Sequence, residues 1–116
     1  MREPARDKER LQHILDAIQT IEVSRKKYNS KPAETDPIVY YGFVKHVEII
    51  GEAVYMLSAD FKDTHPAVEW DSIEGMRHVL VHGYYQIKPN QLWGTIDLDL
   101  PQLKPLIEQY LQEFEK

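Results

Sequence analysis

Apolar residues recur along this chain at intervals of three and four. Between Pro4 and Tyr28 they fall at Leu11, Ile14, Leu15, Ile18 and Ile21, the single stripe of an amphipathic helix. Pro4 suits its first turn, where a missing N–H is no loss. Arg25, Lys26 and Lys27 suit its last turn, where cations oppose the helix dipole. The polar run NSKPAETD, residues 29–36, reads as a connection. Thr35 or Asp36 is placed to cap a second helix, with Pro37 near its first position. That helix carries Tyr40, Phe43, Val44, Val47, Ile50, Val54 and Leu57 and runs to about Ala59. Gly51 interrupts the stripe at a cost of about 1 kcal/mol relative to alanine. A glycine there is best tolerated where another backbone packs closely.

The segment DFKDTHPAVEW, residues 60–70, reads as a loop with room for one turn after Pro66. Asp71 or Ser72 caps a third helix containing Ile73, Met76, Val79 and Leu80, which Gly83 ends or bends. Tyr84 to Lys88 form a short connection. Pro89 opens a fourth helix through Leu92, Trp93 and Ile96. Asp99 and Pro101 mark a further start, and the last helix uses Leu103, Leu106, Ile107, Tyr110, Leu111 and Phe114. Pro105 demands a kink or a later start. No segment alternates with period two for long enough to form a strand. The expected architecture is one all-α domain over residues 1–116, a mostly up-and-down bundle of two long and three shorter helices.

The 116 residues suffice for one domain with its own core. There is no cysteine, which excludes disulfides, thiolate zinc sites and cysteine nucleophiles; that suits a reducing cytosol. The opening MREPARDKERLQ is charged and leads into no signal-peptide core. Apolar runs are a few residues long, against the roughly 20 needed to cross a bilayer. A soluble, cytoplasmic protein without membrane contact is expected. The net charge of −5 argues against holding nucleic acid through a broadly basic surface. Any RNA contact must be local, and an acidic body also suits a basic protein partner.

The chemistry concentrates in RHVLVHGY, residues 77–84. His82 is the best catalytic candidate by residue type, since an imidazole can give or take a proton near neutral pH. Arg77 lies five residues earlier, about 140° away around an ideal helix. The two converge only if the helix ends or distorts before Gly83, or if two chains pair. Otherwise they are a helix-end histidine and a surface arginine. His78 and His82 have the i, i+4 spacing of metal ligands, but the glutamate of H-E-x-x-H is missing and a third ligand would have to come from elsewhere. Two separately employed histidines, and no metal, are expected. Tyr84 and Tyr85 follow the glycine, where aromatics usually cover the edge of a core; an exposed one could be modified or bind a phosphate. Glu48 and Glu52 form an i, i+4 carboxylate pair on the second helix, a spacing shared by acid–base pairs and by solvated helix faces. Lys45 and His46 read as surface residues, and His13 and His65 show no partner. The chain holds no G-x-S-x-G elbow, no P-loop and no G-x-G-x-x-G.

The run MRHVLVHGYYQI, then LW and DLPQLKPLIEQYL, resembles the HepT family of the HEPN superfamily. VEIIGEAVYML is similar to that family's second-helix signature, HPAVEWDSIEGMR to its approach to the motif, and RLQHILDAIQTIE to its first helix. The resemblance runs in order along nearly the whole chain. It implies a helical bundle of four to five helices that forms a homodimer, with R-x4-H motifs meeting across the dimer in a metal-independent RNA endonuclease site. It implies a toxin, partnered by the minimal nucleotidyltransferase antitoxin MntA. The family motif extends to R-x4-H-x-Y and is matched by Arg77, His82 and Tyr84, with the tyrosine as acceptor of AMP from ATP. No cofactor is implied for the chain itself. The residue after the arginine is here His78, a departure that leaves open a supporting role on proton or phosphate. Glu52 is a possible orienting partner of His82. The alternative is a helical binding partner of a nucleotidyltransferase that does not cut RNA.

Overall fold

The stripe from Leu11 to Ile21 becomes the inner face of a first helix, α1 (Asp7–Lys27), in which Leu11, Ile14, Ile18 and Ile21 are buried. The computed structural model describes residues 6–83 and 88–115, with residues 81–83 described through their backbone alone. Along them follow α2 (Ser30–Thr35), α3 (Pro37–Met56), α4 (Ala59–Thr64), α5 (Trp70–Gly83), α6 (Pro89–Gly94) and α7 (Leu100–Glu113). A π-helical turn, Thr95–Asp99, joins the last two. The described residues contain no strand, as the all-α expectation requires. None of their helices is long and apolar enough to cross a membrane.

α3 is the central element. It packs against α1, α2 and α5, while α7 closes over α1. Tyr40, Phe43, Val44, Val47, Ile50 and Val54 give it a buried side along its whole length. Leu80 enters from α5, and Leu103, Ile107 and Tyr110 from α7. Each such side chain contributes about 1.5–3 kcal/mol by leaving water. Asp36 starts α3 as expected: its carboxylate accepts from the N–H groups of Ile38 and Val39.

Several boundaries differ from the sequence reading. The connection 29–36 contains α2, which buries Ala33 alone and so carries no apolar stripe. α3 stops at Met56, and the expected loop contains α4, capped by Ser58 and anchored by buried Phe61. α5 begins at Trp70. The expected break at Asp99 and Pro101 is absent, because Asp99 keeps helical dihedrals and makes no side-chain cap. The chain instead runs on from Pro89 to Glu113, and Leu100 N–H bonds back to Thr95. The wider π turn lies immediately before Pro101, whose ring would collide with the carbonyl four residues back in a regular helix. Pro105 is carried inside α7. Among the described residues the expected all-α bundle is thus present, with three six-residue helices, α2, α4 and α6, set between its longer ones.

Two polar clasps fix the long helices. Asp7 is buried and accepts from both Ser58 N–H (2.9 Å) and Ser58 Oγ (2.7 Å), tying the start of α1 to the α3–α4 junction. At the other end Arg25 donates through Nε and Nη2 to both oxygens of Asp97 (3.0 and 2.9 Å). It also donates to Tyr28 O and Ser30 Oγ, and its guanidinium lies 4.3 Å from the Trp93 ring centre. The bond to Asp97 pushes the Arg25 pKa above its ordinary value.

Candidate functional site

Arg77 leans from α5 onto α3. Gly51 makes this approach possible: a Cβ there would stand 2.5 Å from Arg77 Cβ and 3.2 Å from its Cα. The close packing expected at Gly51 is therefore present, and the residue it admits is Arg77. One position further along α3, Glu52 Oε2 accepts from Arg77 Nε at 2.6 Å. One turn further, the ring of Tyr55 lies under the guanidinium, 4.6 Å from centroid to Cζ. Gly51, Glu52 and Tyr55 thus supply clearance, a charge partner and a flat support. Sequence reasoning considered Glu52 for His82; its carboxylate is found on Arg77. It missed Tyr55, although Glu52 and Tyr55 share a face at i, i+3 spacing, which the sequence displays.

α5 is regular through residue 83. A helix end or distortion between Arg77 and Gly83 is excluded, so positions 77 and 82 remain about 140° apart within one chain. The side chain of His82 and the whole of Tyr84 and Tyr85 lie outside the described residues. His78 is exposed, as is Val79. The outer face of α5 therefore presents His78 while Arg77 sits between the two helices.

Beside Glu52, a groove of about 290 Å³ runs between α1 and α3, lined by Arg10, His13, Lys45, Glu48 and Glu52 among others. Lys45 there donates to Glu48 at 2.9 Å, so the i, i+4 carboxylates are engaged by two different cations. A larger groove of about 470 Å³ lies between α3, α5 and α7. Its walls are chiefly apolar, and its charged groups are Glu69 and Asp99, a lining that repels phosphate.

His65, expected to be without a partner, is firmly held. Its Nδ1 donates to Phe61 O (2.8 Å), its Nε2 lies 2.8 Å from Glu113, and its ring stacks on Phe61. It belongs to an aromatic cluster with Trp70 and Tyr110 that locks α4 against α7. Burial, then the Glu113 charge, raises the pKa of Tyr110. His46 bonds to Gly42 O within its own helix. Among the described residues no three histidines or carboxylates gather as metal ligands.

The family model "Ribonuclease HepT-like" matches residues 14–110. This chain belongs to the HepT-like ribonuclease family. Two relatives span nearly the same length. "Putative RNase TTE0752" of Caldanaerobacter subterraneus subsp. tengcongensis is 34% identical over 89% of this chain and 92% of its own. "Probable ribonuclease HepT" of Thermococcus cleftensis is 32% identical over 88% of this chain and 93% of its own. No solved structure matches the chain.

Proposed function

We propose that this chain is a toxin endoribonuclease, active without metal or cofactor as a cytoplasmic homodimer, and silenced by AMP placed on Tyr84. Membership of the HepT-like family supports RNA cleavage. The observation that carries the assignment to Arg77 and His82 is the unbroken course of α5. Within one chain the helix holds the two positions apart, so a shared site needs a second copy.

RNA brings its own nucleophile. His82 takes the proton of the 2′-OH as the oxygen attacks the adjacent phosphorus, and the second copy's histidine, in protonated form, returns a proton to the departing 5′-oxygen. The products are a 2′,3′-cyclic phosphate and a 5′-hydroxyl. Arg77 binds the phosphate through paired N–H groups and offsets the charge of the transition state. His78, exposed on the same helix, is placed for an auxiliary phosphate contact. The site concentrates cations locally in a protein of net charge −5.

A nucleotidyltransferase of the MntA kind is the proposed partner. The Tyr84 hydroxyl attacks the α-phosphorus of ATP, pyrophosphate leaves, and the tyrosine keeps AMP. That places bulk and a negative phosphate two residues from His82. Purified protein should cleave RNA in excess EDTA, and Arg77→Ala or His82→Ala should abolish cleavage. Undiminished cleavage by both variants refutes the site; no cleavage by wild type favours a non-catalytic binding partner. With ATP and the partner enzyme the chain should gain mass in AMP units, and Tyr84→Phe should prevent it.

A further inference from the structure

We propose that Glu52 and Tyr55 are positioning residues that hold the Arg77 guanidinium edge-on, with its two terminal nitrogens turned outward for a phosphate. The inference rests on the ribonuclease reading above and adds to it the device that orients its cation. An arginine side chain has several freely rotating bonds, and an unrestrained guanidinium loses much entropy on gripping a phosphate. Here three features remove that freedom beforehand. Gly51 lets the Arg77 stem lie directly on α3. Glu52 occupies Nε, which leaves the edge formed by Nη1 and Nη2 for a two-pronged grip. Tyr55 stands with its ring 4.6 Å from Cζ and limits how far the group can swing. Among the described residues Nη1 and Nη2 make no hydrogen bond, and the side chain keeps 23% of its surface exposed. The free edge therefore offers two parallel N–H donors, the fork that matches a phosphodiester.

Glu52 is an anion beside an anion-binding group, and by charge alone its removal should help RNA bind. Positioning makes the opposite demand, which separates the two effects. Glu52→Gln removes the charge but keeps an oxygen able to accept from Nε; Glu52→Ala removes both. Steady-state cleavage of a short RNA should show kcat falling by about 100-fold in Glu52→Ala, with a much smaller rise in KM as the grip on the phosphate weakens. Glu52→Gln should recover most of that loss. Tyr55→Phe should retain activity and Tyr55→Leu should lose it. In an Arg77→Ala background none of these changes should matter further. Wild-type kcat in Glu52→Ala, or equal effects of alanine and glutamine, overturns the proposal.

A second readout stands apart from catalysis. The Arg77 Nε–H resonance should be shifted downfield and slow to exchange in wild type, retained in Glu52→Gln and lost in Glu52→Ala. Binding of a 2′-O-methyl RNA, which cannot be cut, should weaken in the order wild type, glutamine, alanine. If wild type cuts no RNA, the ribonuclease reading falls, and this binding order alone then supports the positioning of Arg77 or, if absent, overturns it.

Discussion

Tyr40 carries its hydroxyl into the core, where Oη is buried without a hydrogen-bond partner among the described residues. Burial, followed by the charges of Tyr41 and Glu34, raises its pKa above the ordinary tyrosine value. A group whose pKa is raised on folding contributes full stability below its unfolded pKa and loses it as pH climbs through the folded value. Stability should thus decline above about pH 10, and Tyr40→Phe should flatten that decline. At neutral pH the same substitution deletes an unsatisfied polar group, so urea titration should show a gain of about 1 kcal/mol. Gly51 makes the opposite prediction. Gly51→Ala forces a Cβ into Arg77 and should cost about 1–3 kcal/mol, with cleavage falling alongside. Gly42→Ala, on the same helix with open space around it, should instead stabilise by about 1 kcal/mol. Thermal melts of the two variants should move in opposite directions.

The three longest stripes, in α1, α3 and the final helix, were legible in the sequence because each buries apolar residues every three or four positions. The short elements were not. α2 buries one alanine and α4 one phenylalanine, so neither has a period to detect. The junction at Pro101 misled for a different reason: proline two residues after an aspartate is an ordinary mark of a helix start, and here a π turn precedes it instead. At the candidate site, the close packing at Gly51 was legible. The pairing of Glu52 with Arg77 was not, since it depends on how two helices separated by 25 positions cross. The clasp between Asp7 and Ser58 was equally hidden, as it spans 51 positions. Asp7→Ala strips the partner from a buried backbone N–H and a buried hydroxyl. It should cost about 1.5–3 kcal/mol in chemical denaturation, with helix content in circular dichroism largely retained.

At the scale of the whole molecule, the proposed Arg77–His82 site calls for a second copy of the chain, because α5 is unbroken through both positions. If both copies contribute a histidine to one proposed site, refolding wild type with an excess of His82→Ala chains should lower activity well below the share of wild-type chains present, because each mixed dimer lacks one of the two histidines. Activity that falls only in proportion to the wild-type share would place the whole site in one chain. The acidic net charge gives a related expectation. A small cationic patch should show a shallow dependence of RNA affinity on salt, in contrast to proteins that neutralise many phosphates at once.

Arg25 meets Asp97, and Glu22 meets Lys104, across 72 and 82 positions of chain. During synthesis α3 can cover part of α1 early, but the rest of its apolar side waits for nearly the entire polypeptide before α7 arrives. Contacts so distant in sequence slow the final step of folding and leave Leu11, Ile14 and Ile18 open to chaperones in the interval. Completion of the bundle is consequently a late event in synthesis, and chains cut short before α7 would carry residues 77–84 without the helix that closes over α1.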